Sequence, residues 1–226
     1  MRKILMGVVR FREQLLPQYE ARFRALAEGQ APDALLITCS DSRLLPDVLA
    51  SVDPGELFVM RNVGNLVPPA TVDGASTGDL SEASAIEYSV LALKVRHLIV
   101  CGHSQCGAMQ AALARKSMAA MPNLARWLHH SAPAVVRLDQ EGPLDPRLSP
   151  SDQLSQLNVL VQLEHLASYP IVRERIANGM LHLSGWWFDI ARGEMLAYQR
   201  ESRNFEPIDR GLAERMLRRL EPDPGA

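Results

Sequence analysis

The chain has 226 residues, 47% of them apolar, with 24 basic and 26 acidic side chains and a formal charge of −2. That length and composition bury a substantial core without a disulfide scaffold or disorder, so a single domain over residues 1–226 is expected. Acids and bases are interleaved, with no basic stripe of the kind that nucleic acid or an anionic membrane requires, which leaves a small molecule or another copy of the chain as partner. The basic start, Met1 to Gly7, is followed by an apolar run that stops at Arg10, short of signal length. No segment reaches membrane-spanning length, and a cytoplasmic location is expected. Three cysteines, Cys39, Cys101 and Cys106, make an odd count that suits a reducing compartment, with metal ligation or core packing as their use.

In chain order, the first element is a helix. Ile4, Val8, Phe11 and Leu15 share one face, Pro17 interrupts, and Tyr19, Phe23 and Leu26 continue the pattern, giving an N-terminal helical arm over residues 1–29. Three short apolar runs follow, 34–38, 57–60 and 97–101, each too short for an ordinary helix and separated by helix-like segments, which is a parallel-sheet pattern. Residues 81–94 predict an intervening helix, with Ala85, Tyr88, the 90–93 run and Val95 as its apolar face behind a Ser81-x-x-Ser84 start. Another helix follows Cys106. Residues 121–169 read as helical, with breaks at Pro133 and over 142–150, where Gly and Pro mark a surface loop. Residues 181–190 and 195–198 predict two strands joined at Arg192-Gly193, a late hairpin. A last helix starts near Asp209, an acceptable N-cap, and the tail 221–226 is expected to fray. The fold class is therefore α/β: a mainly parallel central sheet of four to five strands flanked by helices, with a helical arm and a late antiparallel strand.

The chemistry concentrates after two of the short strands. Thr38-Cys39-Ser40-Asp41-Ser42-Arg43 sets a thiol, a carboxylate and a guanidinium at alternating positions beyond a buried strand. Cys101-Gly102-His103-Ser104-Gln105-Cys106-Gly107 sets a His and a Cys three residues apart where the chain enters a helix, whose N-terminus favours Cys106 as thiolate. Open α/β sheets bind ligands outside the carboxyl ends of their strands. If these two ends are neighbours, two thiolates and an imidazole form a tetrahedral Zn²⁺ set that leaves a fourth position open for catalysis. Arg43 then keeps Asp41 ionised, and Asp41 either orients the nucleophile by a hydrogen bond or swings onto zinc and closes that position. Each feature alone has a plainer reading: a cysteine at a strand end is a small buried hydrophobe, Asp-x-Arg a local salt bridge, His-x-x-Cys part of a structural zinc site. Cys101, inside an apolar run, reads as core. Specificity lies in the ordered combination.

That combination resembles the β-carbonic anhydrases, in particular the bacterial, plant-like subgroup similar to those accompanying cyanate-degrading enzymes. The resemblance covers most of the chain and rests on Cys39-Ser40-Asp41-Ser42-Arg43, on Pro54-Gly55-Glu56-Leu57-Phe58-Val59-Met60-Arg61-Asn62-Val63-Gly64-Asn65, on Ala85-Ile86-Glu87-Tyr88 and on Gly102-His103-Ser104-Gln105-Cys106-Gly107-Ala108. It implies one Zn²⁺ per chain held by Cys39, His103 and Cys106, and a dyad of Asp41 and Arg43 that governs the fourth position. It implies reversible hydration of CO2 to bicarbonate and a proton, by attack of zinc-bound hydroxide. It further implies a substrate pocket carried onto Phe58, Val63 and Tyr88, with the Gly107 N–H and Gln30 at the substrate. It implies a homodimer, often doubled to a homotetramer, with the arm packing on the partner and the pocket formed between subunits. Leu36 stands where the other subgroup has the tryptophan of an inhibitory bicarbonate site, although Arg61 and Tyr88 match other parts of that site. Ser184 replaces the histidine of the family's Leu-His-Gly-Trp strand, and the loop 71–81 lacks the family's paired glycines. His129 and His130 suit a solvated helix end.

Rival readings fail on spacing. Gly102-His103-Ser104-Gln105-Cys106-Gly107 has one residue too many for a Gly-x-Ser-x-Gly elbow, no Lys-Ser/Thr follows Gly107 as a phosphate loop needs, and no Cys-x-x-Cys occurs. The alternatives that share the site are a hydrolase of carbonyl sulfide or carbon disulfide, and a silent zinc-binding or bicarbonate-sensing subunit.

Overall fold

The computed structural model describes residues 1–114 and 118–220; the tail expected to fray lies outside them. The arm forms as expected: α1 (Arg2–Arg10), a π-helical turn (Phe11–Leu15) and α2 (Leu16–Leu26). Pro17 falls in the first turn of α2, where a missing N–H costs little, and the π-turn before it absorbs the proline without ending the helix. No residue of α1 or α2 is buried, and Ile4, Leu5, Val8, Phe11 and Leu15 are exposed. Near the end of the arm, Arg22 donates to the Pro54 carbonyl (2.7 Å) and pairs with Glu56 (2.8 Å).

The body is a six-stranded sheet in the order β2-β1-β3-β4-β5-β6: β1 (Ala34–Cys39), β2 (Leu57–Asn62), β3 (His97–His103), β4 (His182–Asp189), β5 (Glu194–Gln199) and β6 (Asn204–Pro207). The first four are parallel, and β5 and β6 add antiparallel ribbons at one edge. The mainly parallel α/β sheet is thus the expected one with one strand more. β6 is four residues long and ends in Pro207, too short to give a period-two signal. The hairpin turns where expected, with Gly193 left-handed at φ 66°.

Ten α-helices occur among the described residues. Short α3 (Pro46–Ala50) follows β1, and α4 (Leu80–Glu87) is one residue longer at its start than expected because Asp79, not Ser81, caps it, accepting from the Ser81 N–H at 2.7 Å. α4 runs on through a π-turn (Tyr88–Ala92). α5 (Gly107–Ala114) follows Cys106; α6 (Pro122–Leu128), a 3₁₀ turn (His129–Ser131) and α7 (Ala132–Glu141) come next. The break lies just before Pro133, which sits in the first turn of α7 where proline is favoured. α8 (Pro150–Ser168), α9 (Pro170–Ala177) and α10 (Arg210–Leu220) complete the set, with Asp209 capping α10 through the Leu212 N–H at 2.7 Å.

α8 lies tightly on the sheet and has ten buried residues. Two strand glycines permit this: a Cβ on Gly102 would stand 2.7 Å from a Val159 methyl, and one on Gly185 2.9 Å from the other. The main core gathers Leu35, Ile37, Leu98, Val100 and Trp187 from the strands with Ile86, Val90, Val159 and Leu166 from the helices. A second core of Leu66, Met109, Leu128, Leu154 and Leu157 packs around Cys39 and Cys106.

Candidate metal centre

β1 and β3 are hydrogen-bonded neighbours with Thr38 opposite Cys101, so the two motif-bearing strand ends lie side by side. Cys39 ends β1, His103 ends β3, and Cys106 immediately precedes α5. All three side chains are buried, and their Sγ and ring nitrogen atoms lie within 4.8 Å of one another. A tetrahedral zinc site needs donor–donor separations of about 3.5–3.8 Å, so a small closure of this cluster meets it.

The imidazole is set for coordination. Its Nδ1 donates to the Ser104 carbonyl at 2.8 Å, because a carbonyl can only accept; this leaves Nε2 as the lone-pair nitrogen. Nε2 is fully buried without a hydrogen-bond partner. A buried lone-pair nitrogen in that condition, facing two thiols, fits a soft divalent cation. The thiols differ in their pull on protons. Cys39 is pushed down to about 4, first by a hydrogen bond from the Cys106 thiol and also by the Gly64 N–H, 3.4 Å from its sulfur. Cys106 is pushed upward by the same hydrogen bond and by burial, which outweigh the N–H groups of Ala108 and Met109 at the start of α5. The helix-terminal stabilisation expected for Cys106 is therefore present but loses to its neighbour. A cation between the sulfurs reverses that, since it favours both thiolates at once.

Asp41 and Arg43 form a two-point pair beside the cluster: Arg43 Nε donates to Oδ1 (2.9 Å), Nη2 to Oδ2 (2.7 Å), and the Arg43 backbone N–H to Oδ1 (3.0 Å). These bonds hold the Asp41 carboxyl well below the usual carboxylate range. Its Oδ2 is 3.9 Å from His103 Nε2. Arg61 fixes the backbone on which the pair hangs, donating from Nε to the Cys39 carbonyl (3.1 Å) and from Nη2 to that of Asp41 (2.7 Å).

The expected pocket residues are not all gathered here. Gly107 opens α5 next to Cys106, with free space where a Cβ would be. Val63 lies beside Gly64, its side chain exposed and its carbonyl accepting from Trp127 Nε1 at 2.7 Å. Phe58 and Tyr88 pack on each other with ring centroids 5.9 Å apart. Phe58, however, precedes Asn62, the residue opposite Cys39, by four positions, roughly 13 Å along the strand. Gln30 is exposed on the connection between α2 and β1. Phe58, Tyr88 and Gln30 are therefore not brought to the cluster of their own chain.

A set of buried polar side chains on α8 was not read from the sequence. Asp152 accepts the Gln105 backbone N–H (2.5 Å), Ser155 Oγ donates to the His103 carbonyl (2.8 Å), and Asn158 Nδ2 donates to the Gly64 carbonyl (3.1 Å). Each grips backbone beside a cluster residue. Their spacing of three, within a helix otherwise rich in Leu and Val, is the one sequence signal that pointed to them.

Soft donors at the carboxyl edge of a parallel sheet, with an ion-paired carboxylate beside them, define an α/β protein with a candidate metal centre of the thiolate–imidazole kind. Residues 34–195 match the family model described as carbonic anhydrase. A carbonic anhydrase of Pseudomonas aeruginosa is 41% identical over 207 residues, covering 91% of this chain and 90% of the relative. One of Synechococcus elongatus is 40% identical over 215 residues, covering 92% and 75%. Among solved structures, the β-carbonic anhydrase CcaA superposes with a TM-score of 0.80 at 35% identity, covering 92% of both chains. A tetrameric β-carbonic anhydrase from Sordaria macrospora does so with a TM-score of 0.74 at 32% identity, covering 87% of this chain and 95% of its own. The chain belongs to the β-class carbonic anhydrases, a family of lyases.

Proposed function

We propose that the protein catalyses the reversible hydration of CO2 to bicarbonate and a proton at one zinc ion held by Cys39, His103 and Cys106. The observation that carries this reading is the buried, unpartnered Nε2 of His103 facing two thiols, with the Asp41 carboxylate held beside it by Arg43. Bound there, zinc supplies a Lewis acid that makes water nucleophilic near neutral pH. The chain's own groups do the rest. Gly64, Ala108 and Met109 direct backbone N–H groups at the two sulfurs and stabilise them as anions. Arg43 keeps Asp41 ionised, so that Asp41 accepts a hydrogen bond from the attacking water and orients its lone pair. The Gly107 N–H, at the start of α5, stabilises charge that develops on a CO2 oxygen.

Gln30, Phe58 and Tyr88 serve the site of a second copy in this reading, because their own cluster is out of their reach. The exposed apolar residues of α1 suit the same association, and we propose a homodimer as the active unit, doubled in a homotetramer. A cytoplasmic setting suits three cysteines that are all free thiols. Among the described residues, no helix is long and apolar enough to cross a membrane.

The test is stopped-flow CO2 hydration by purified protein with its zinc quantified. Cys106→Ala is expected to lose both zinc and turnover, and Asp41→Ala to keep zinc while losing turnover. Zinc-loaded wild-type protein that fails to hydrate CO2 at any pH from mildly acidic to alkaline overturns the proposal.

A further inference from the structure

The segment joining two of the three metal-ligand candidates carries a strained residue. Gln105 lies between His103 and Cys106 and is left-handed at φ 55°, a conformation that an unbranched side chain adopts only when its surroundings impose it. Two groups from different elements impose it here. On one side the Asp152 carboxylate, buried in the first turn of α8, accepts the Gln105 backbone N–H at 2.5 Å. On the other, Arg43 Nη2 donates to the Gln105 carbonyl at 3.1 Å, with Nη1 3.5 Å from the side-chain Oε1. The same Arg43 Nη2 also donates to Asp41 Oδ2 at 2.7 Å. A chain of contacts therefore runs from α8 through Asp152, the backbone of Gln105 and Arg43 to Asp41. Asp152 itself is fixed independently of that chain, since its backbone N–H donates to Ser149 at the α8 N-cap.

We propose that Asp152 is a positioning residue of the reaction. Its carboxylate locks Gln105 in the left-handed conformation, which aims the Gln105 carbonyl at Arg43. With Arg43 anchored at that carbonyl, its remaining donors keep Asp41 beside the nucleophile's position and off the metal. Without the lock, Gln105 relaxes to negative φ, its carbonyl turns away, and the Asp41–Arg43 pair is free to move as a unit. This inference rests on the zinc-site reading above for its catalytic consequence, but not for its geometric one.

The decisive measurement combines kinetics with structure on full-length zinc-loaded protein. Asp152→Ala is expected to retain zinc, because no ligand is touched, and to lose about 10–100-fold in kcat/KM, the scale on which supports of metal sites act. Asp152→Asn keeps an oxygen acceptor and is expected to stay within about threefold of wild type. Glycine adopts positive φ freely. In a Gln105→Gly background the loss from Asp152→Ala should therefore shrink to a few-fold, a coupling that a merely structural carboxylate would not give. Crystal structures of the alanine and wild-type proteins report the Gln105 φ and the Arg43–Gln105 contact whether or not either hydrates CO2, so failure of this inference is separable from failure of the functional proposal. If the alanine chain does not fold, Asp152→Ser shortens the side chain and pulls its oxygen back from the Gln105 N–H, with a residue suited to a first helical turn. Unchanged kcat/KM, a left-handed Gln105 that persists without the carboxylate, or a loss equally large in the glycine background would each overturn the inference.

Discussion

Two helical regions differ in how they read and in what they do. The arm, α1 and α2, has a clear apolar stripe and buries nothing; α8 has almost no stripe and buries ten residues, among them Asp152, Ser155, Gln156, Asn158 and Gln162. A strong stripe marks a helix lying between water and one apolar surface. In the arm no such surface is supplied by the described residues. Helix α8 is enclosed on several sides, and four of its polar residues, Asp152, Ser155, Asn158 and Gln162, are inside because they satisfy backbone groups of Gln105, His103, Gly64 and Val67, whereas the Gln156 Oε1 is buried without a partner. The lesson is that polar residues at helical spacing need not mark a solvated face.

The largest effect should come from breaking that polar row. Asn158→Ala removes the side-chain donor to the Gly64 carbonyl and one of the two acceptors of Gln162 Nε2, which keeps its bond to the His130 carbonyl. We expect a loss of about 3 kcal/mol in urea unfolding and about 10–100-fold weaker zinc retention against a chelator, because Gly64 also directs its N–H at Cys39. An Asn158→Ala protein as stable as wild type would mean that the row is incidental.

The arm should respond in the opposite sense. Exchanging Val8 and Phe11 for serine is expected to leave unfolding of the body unchanged, since neither side chain is buried in it. If a second copy covers them, each contributes about 1.5–3 kcal/mol to association, so the dissociation constant read by sedimentation should rise at least a hundredfold for the pair. Unchanged association together with destabilised unfolding would show that the arm packs on its own domain.

Legibility follows the same division. Cys39, Asp41, Arg43, His103 and Cys106 were readable because each lies just beyond a continuous apolar strand, and the sheet joins those strand ends as neighbours. Strands β1 to β3 stood out for the same reason, being nearly unbroken apolar runs. What was hidden depended on long-range partners. Asp152 and Asn158 act on backbone 47 and 94 residues away, and no local pattern encodes such pairs. Asp79 caps α4 where the sequence pattern points to the nearby serines, because capping depends on where the chain turns, which the loop before it decides. Gln30, Phe58 and Tyr88 matched by resemblance, yet a single chain does not unite them with the cluster.

The smallest effect sharpens what a buried polar group needs. Glu82, in α4, accepts from Asn62 Nδ2 at 3.3 Å through one oxygen, while its other oxygen is buried without a partner. Burial, followed by the nearby Asp79, raises its pKa. A carboxyl raised in the folded state costs stability when ionised: the cost is absent at pH below its unfolded value of about 4.5 and grows as pH rises above it. Glu82→Gln resembles the protonated acid in shape and charge. The variant should therefore melt at the same temperature as wild type near pH 4 and a few degrees higher at pH 8. A difference that shrinks as pH rises would contradict the burial argument. Asn158, by contrast, has partners on both ends of its amide, and no pH at which removing it helps is expected.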